Sequence, residues 1–246
     1  MGLMNEPAAV PTGRPAVLVG TSGWSFKEWK GSFYPKDLSD DNQLSYYAGK
    51  FATVEINNTF YRMPRENVLR DWCGKVPESF RFAIKASQRI THHGRLKEVD
   101  ESVSHFTRVT SELGERRGPT LFQLPPNLKK DAARLAAFLE LLPKRWMAAF
   151  EFRHSSWFDD ETYAALRSRN CALVIADHDD FLTPAIATAD WGYARLHKTT
   201  YSAAELAEWS TKLAGFGFQQ LYVYFKHDEA EGSGPDGALA FAGLIR

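Results

Sequence analysis

Eight short apolar runs recur along the chain, each closed by a polar or small residue and separated from the next by an amphipathic stretch. The runs cover residues 17–21, 53–57, 80–85, 120–124, 148–152, 172–176, 193–196 and 221–225. They are rich in β-branched and aromatic residues and show no apolar/polar alternation, which predicts strands covered on both faces. Between them, Val99, Val103, Phe106, Val109 and Leu113 fall at three- and four-residue spacing and form one helical stripe over 98–114. Leu135, Phe138, Leu139 and Leu142 repeat that arrangement over 131–142, with Pro143 at its end. Tyr163 and Leu166 mark a helix over 159–169. Ser202 followed by Glu205 is a capping-box pattern, and Leu206, Trp209 and Leu213 give the helix over 202–215 its apolar side. A last helix is predicted over 238–245, whereas 177–190 has little helical periodicity.

Strands alternating with helices call for parallel pairing through crossovers. Eight of them in this length have the count and size of a (β/α)₈ TIM-type barrel, an α/β fold with a long first βα loop here. A doubly wound open sheet is the competing architecture. Residues 1–16, with prolines and glycines, read as a disordered leader, and 17–246 as a single barrel domain without repeats or Gly/Ser linkers.

Composition narrows the function classes. With 246 residues, 44% hydrophobic and 24% charged, the chain is long and apolar enough to bury a core without covalent staples. Lys+Arg and Asp+Glu both number 30, which argues against a protein that coats nucleic acid by neutralising phosphates. The two cysteines, Cys73 and Cys171, form no CxxC pair, so zinc ribbons and thioredoxin-like redox centres are excluded. No basic-then-apolar leader occurs and no apolar run approaches the ~20 residues of a membrane span. A cytoplasmic protein with no membrane or protein partner is the expectation.

Candidate chemistry collects at the C-terminal ends of the strand runs, where barrel enzymes keep their active sites. Ser22, Glu55, Asn57, Lys85, Gln123, Glu151, Arg153, Asp177, Arg195 and His197 all fall there. The bland alternative is that strands end in polar residues because loops are solvated. Glu55, Glu151, Asp177 and His197 are the candidate catalytic groups, with a carboxylate and the imidazole as proton carriers. Arg153 and Arg195 are candidate forks for a phosphate or carboxylate. Asn57, Tyr61, Lys85, Gln123, Trp157 and Tyr201 complete the expected substrate-binding set. The same charges could instead neutralise one another as a structural network. His197, Glu55, Glu151, Asp177 and His227 are ligand types that suit Zn²⁺ or Mn²⁺, but no close-spaced His motif occurs and neighbouring Lys and Arg repel cations. A divalent metal is therefore not favoured, no metal ligand is assigned, and the cofactor stays open.

Trp24, Trp29, Phe33, Tyr34 and Phe60 join Tyr61, Trp157 and Tyr201 in the same loops, either as stacking faces for a sugar or base or as a rim packing the first loop. Gly232, Gly234 and Gly237 fit G-x-G-x-x-G, but the chain holds no further strands for a dinucleotide fold, so a turn or a minor anion site is the reading. No GxSxG elbow, Walker A loop or Cys/His catalytic pair occurs.

Several blocks in order resemble the DUF72 (YecE-like) family. They are Gly20-Thr-Ser-Gly-Trp24, Phe33-Tyr-Pro35, Val54-Glu-Ile-Asn57 with Thr59-Phe-Tyr61, Ile84-Lys85 with Ile90-Thr-His92, Phe122-Gln-Leu-Pro-Pro126, Phe150-Glu-Phe-Arg153 with Trp157, and Ala194-Arg-Leu-His197 with Tyr201. The resemblance implies a TIM-type barrel, similar in outline to endonuclease IV and the xylose isomerases, and supplies no reaction. Phe225-Lys-His-Asp-Glu229 departs from the Phe-Asn-Asn-type turn of many relatives. Two functions stay open: an enzyme hydrolysing or isomerising a phosphorylated or nucleic-acid-derived anion, and a non-catalytic protein binding nucleic acid or a metabolite in the same pocket.

Overall fold

The structure, a computed structural model, describes residues 16–226 and 233–245. The expected leader, apart from Ala16, lies outside the described residues, as do His227 and Gly232. Nine strands follow in order: β1 (Ala16–Thr21), β2 (Thr53–Ile56), β3 (Arg81–Lys85), β4 (Arg117–Gln123), β5 (Ala148–Glu151), β6 (Ala172–Leu173), β7 (Ile175–Asp177), β8 (Trp191–Leu196) and β9 (Gln220–Phe225). Each predicted run is extended, with β6 and β7 sharing the sixth. Among the described residues six α-helices connect them, α1 (Gln43–Ala48), α2 (Glu66–Gly74), α3 (Asp100–Thr110), α4 (Ala132–Leu141), α5 (Asp160–Ser168) and α6 (Ala203–Ala214), and α7 (Ser233–Leu244) follows β9.

Three helices start where their side chains can satisfy the free N–H groups of a first turn. Asp131 accepts from Arg134 N and Asp159 from Thr162 N, both at 2.9 Å. Ser202 and Glu205 form the predicted reciprocal box at the start of α6. One predicted β/α unit has no helix. After β7, residues 178–190 run irregularly, and two threonine hydroxyls take over the backbone bonding of the strand edge. Thr183 Oγ1 accepts from Ala176 N and donates to Val174 O, while Thr188 Oγ1 accepts from Leu173 N and donates to Cys171 O. Without apolar residues at helical spacing, this segment pays for its position through side-chain hydrogen bonds.

All strand neighbours are parallel, in two sheets ordered β2-β3-β4-β5-β6 and β1-β9-β8-β7. The continuous run through Val174 joins them on one side, with Val174 N donating to Phe150 O at 2.9 Å. On the other side, β1 approaches β2 so closely that a Cβ on Gly20 would fall 2.0 Å from Thr53 O. There the phenol of Tyr47 bridges the edges, accepting from Thr21 N at 2.8 Å and donating to Thr53 O at 3.2 Å.

Successive strand side chains point to opposite faces. Val54, Phe82, Phe122, Phe150, Ile175 and Val223 share one large apolar core with helix residues such as Phe106, Phe138 and Leu206. The alternate positions of both sheets meet in a second cluster. There Ala83, Ala149, Ala172 and Ala176 pack with Trp191, Tyr193, Tyr222 and Tyr224, so small residues of β3, β5, β6 and β7 make room for the rings of β8 and β9. Two residues further along the same rows stand Lys85, Glu151, His178 and Arg195. Strand parity thus delivers charged side chains to the inner face.

Candidate functional site

Arg195 is the centre of these inner strand ends. Its Nη2 donates to Glu55 Oε1 at 3.0 Å and its Nη1 to Glu151 Oε2 at 2.6 Å. Glu55 also accepts from Tyr193 OH at 2.6 Å, Ser22 Oγ at 2.7 Å and Asn57 Nδ2 at 3.0 Å. The other oxygen of Glu151 takes Arg153 Nε and, at 2.9 Å, Gln123 Nε2. Gln123 in turn accepts the amine of Lys85 at 2.8 Å, and that amine lies 4.4 Å from the centre of the Phe60 ring. Both glutamates are fully buried, which ionised carboxylates tolerate only when paired and hydrogen-bonded. Among the described residues, Arg195 Nε and Asn57 Oδ1 are buried without a partner.

Two histidines complete the cluster, and their tautomers follow from their neighbours. Ser22 gives its single proton to Glu55, so the 3.0 Å contact with His197 requires Nε2–H of His197 to donate to Ser22 Oγ. Arg153 Nη2 has only protons to give, so His178 Nε2, 3.1 Å away, is an acceptor. The two imidazoles lie 5.2 Å apart.

Burial alone would raise the Glu55 and Glu151 carboxyls, but the charge of Arg195 and the converging donors reverse this. Glu55 falls below the ordinary range and Glu151 falls to about 2. Arg195 responds in kind, its charge fixed by the two carboxylates against the pull of burial. Burial, then Arg195, brings Lys85 down from 10.5 to about 8. Burial, then Arg153, brings His178 to about 4, and burial with Arg195 takes His197 well below 6.5. At neutral pH both imidazoles are uncharged. Lys85, Arg153 and Arg195 then face Glu55 and Glu151, which leaves one positive charge in surplus.

The expected site residues divide. Glu55, Asn57, Lys85, Gln123, Glu151, Arg153, Arg195 and His197 meet in this network. Asp177 does not, because it has the parity of Ile175 and lies on the outer face. Its Oδ2 accepts from Trp209 Nε1 of α6 at 2.9 Å and from Tyr201 OH at 3.1 Å, with Lys198 Nζ at 3.7 Å. Tyr201 therefore belongs with Asp177 and not with the network. Trp157 is a core residue, stacked on Phe152 at 4.6 Å with its Nε1 donating to Leu128 O at 2.8 Å, so it has no face or donor for a ligand. Trp29 and Tyr34 are likewise buried in the packing of the first loop. Tyr61 is 74% exposed and borders a cavity of about 450 Å³ with Trp24, Phe26, Trp72, Ser22 and Asn57. Ser22 and Asn57 connect that aromatic cavity to the network.

Two members, Tyr193 and His178, were not among the strand-end candidates, and Ser22 was one without an assigned role. A period-two trace through Ala172, Val174 and Ala176 leads to His178, and one through Arg195 leads back to Tyr193. Among the described residues no three His, Cys, Asp or Glu side chains group so as to hold a metal ion. The guanidinium of Arg195 stands where a cation between Glu55 and Glu151 would sit. No described helix is long and apolar enough to cross a membrane.

The model of the family described as "Protein of unknown function DUF72" matches residues 18–246. The chain is similar to "UPF0759 protein YecE" of Escherichia coli (strain K12), 29% identical over 58% of this chain and 50% of that protein. "UPF0759 protein YunF" of Bacillus subtilis (strain 168) is 28% identical over 60% of this chain and 54% of that one. The match thus spans about half the length of these relatives. A solved DUF72 family protein from Thermotoga maritima superposes with a TM-score of 0.84, at 31% identity over 94% of this chain and 99% of the other. A second, from Enterococcus faecalis, shares the fold at TM-score 0.79 and 18% identity, covering 93% and 95%.

Proposed function

The chain belongs to the DUF72 family, a membership that brings no reaction with it, and we propose that its inner strand ends form the anion-binding active site of an enzyme. In this reading residues 17–246 close as one TIM-type barrel, with the Tyr47 bridge and the close approach at Gly20 as the seam between β1 and β2. The substrate is a small phosphorylated or nucleic-acid-derived anion that is hydrolysed or isomerised in the cytoplasm. The surplus positive charge carries the proposal: two carboxylates neutralise two of three buried or half-buried cations, and a bound anion would answer the third. The aromatic cavity at Ser22 and Asn57 offers ring faces beside that charge, which fits an anion carrying a sugar or base.

Calorimetric titration of the purified protein with inorganic phosphate and with a nucleoside monophosphate tests the reading. Arg153→Ala should weaken both by about tenfold or more, the usual worth of a charged hydrogen bond. Equal affinity in the variant would remove Arg153 from the site.

A second reading, binding without chemistry, draws support from the low carboxyl values: a Glu151 held at about 2 donates no proton near neutrality. Salt-dependent retention of single-stranded or abasic DNA with no product formed would favour it over catalysis.

A further inference from the structure

We infer that Lys85 is a nucleophilic amine that condenses with an aldehyde or ketone bearing an anionic group, forming an imine in the strand-end site. The inference rests on the anion-site reading above and narrows its substrate to a carbonyl compound. Its basis is the division of labour among the three cations. Arg195 and Arg153 take up the oxygens of Glu151, and Arg195 with Ser22, Asn57 and Tyr193 occupies Glu55. Lys85 is left to a neutral amide, Gln123, at 2.8 Å, with the face of Phe60 beneath it at 4.4 Å. A half-buried lysine over an aromatic face, with the guanidinium groups of Arg195 and Arg153 set against the carboxylates of Glu55 and Glu151, has the desolvated environment that makes an amine a nucleophile. Its value of about 8 follows from that setting, burial first and Arg195 second. At pH 7 about one amine in ten is then uncharged, against less than one in a thousand at an ordinary lysine.

The neighbours suit the reaction. The uncharged amine adds to the carbonyl carbon, forming the C–N bond as the C=O π bond breaks, and one amine proton passes to the oxygen to give a carbinolamine. The C–O bond then breaks and the oxygen leaves as water with the second amine proton, which leaves the imine, and no oxidant or reductant is consumed. Arg153 Nη2 is held by His178 and its guanidinium lies 5.2 Å from the Phe181 ring, at the mouth of the same cluster, where it can bind the substrate's carboxylate or phosphate. Protonated, the imine withdraws electrons from the carbon next to it, which favours isomerisation over hydrolysis in the proposed activity.

The test is reductive trapping. Full-length protein is incubated with pyruvate, or with acetaldehyde as the uncharged control, and reduced with sodium cyanoborohydride; adducts are located by peptide mass mapping. Trapping of pyruvate at Lys85 at least tenfold faster than at any other lysine, rising through about pH 8 and absent in folded Lys85→Arg, is the expected result. Arg153→Ala should lower the trapping of pyruvate at least tenfold more than that of acetaldehyde, which loses only the share of the Arg153 charge in keeping the amine unprotonated. Labelling spread evenly over the lysines, or unchanged in Lys85→Arg, would overturn the inference. Phosphate binding that depends on Arg153, without any adduct at Lys85, would sink the imine and leave the anion site standing. Acetaldehyde trapped at Lys85 without Arg153-dependent anion binding would do the reverse.

Discussion

Two sets of strand-end carboxylates face opposite ways and live in different physics. Glu55 and Glu151, on the inner face, are bound by guanidinium groups and fully buried. Asp177, one residue out of phase, points to α6, where an indole N–H and a phenol satisfy it and the paired ammonium, Lys198, is 32% exposed. The inner pair holds charge against the cost of burial. The outer one ties a helix to a strand. Polar residues at strand ends are thus not one class, and parity decides which become chemistry and which become architecture.

Removing the central cation should break the comparison most violently. Arg195→Met would leave two buried carboxylates unpaired and cost about 3–5 kcal/mol in urea denaturation at pH 7, with part of the loss recovered as acid protonates them. Lys198→Met beside Asp177 should cost less than about 1 kcal/mol, because that ion pair is partly solvated. Equal losses would mean that the two clusters are energetically alike.

The histidines give the next effect, and its sign follows from linkage. Burial and neighbouring arginines depress His178 to about 4 and His197 well below 6.5, so the unfolded chain takes up protons first as pH falls. Stability should therefore be intact above pH 6.5 and decline below it, by about 2 kcal/mol for His178 between pH 6.5 and 4.5 with a further loss from His197, before Glu151 begins to lose its own contribution. His178→Phe should remove about 2 kcal/mol of that decline in thermal melts recorded across the window. An unchanged slope would place His178 in water.

Lys85 should yield a smaller effect of the same sign in a higher pH window. Its folded value of about 8 lies below the ordinary 10.5, so an ammonium held in the fold is a burden at neutral pH that lifts as pH rises from 8 to 10.5. Lys85→Met should stabilise the protein by about 1–2 kcal/mol at pH 7 and by little at pH 10, while anion affinity falls. A destabilised variant at pH 7 would show that Phe60 and Gln123 already repay the charge.

Much of this was legible beforehand. The apolar runs marked the described strands, and Ser202 with Glu205 marked a helix start through its capping box, while the caps at Asp131 and Asp159, the first residues of two expected helices, emerged only in the structure. Glu55, Lys85, Gln123, Glu151, Arg153 and Arg195 were found because charge inside an apolar run needs partners. Asp177 falls outside the network because closeness to a strand end was read without asking which face it takes, and Tyr201 and Trp157 because loop aromatics were read as ligand faces when one bonds Asp177 and the other packs in the core. The inner face does leave a trace, in alanines at 83, 149, 172 and 176, but their meaning depends on the rings of β8 and β9 that fill the space they leave. That match is made between distant segments and no local window contains it.

Asp177 offers the finest test of the parity argument. Asp177→Asn keeps an oxygen for the Trp209 indole and removes only a charge that Lys198 half answers, so the expected cost is at most about 1 kcal/mol. Phosphate affinity and imine trapping should not change, because the outer face shares no hydrogen-bonding side chain with Glu55 or Glu151. If Asp177→Asn instead abolished anion binding while its melting temperature held, the carboxylate would have to act across the strand, and strand parity would no longer separate site from scaffold.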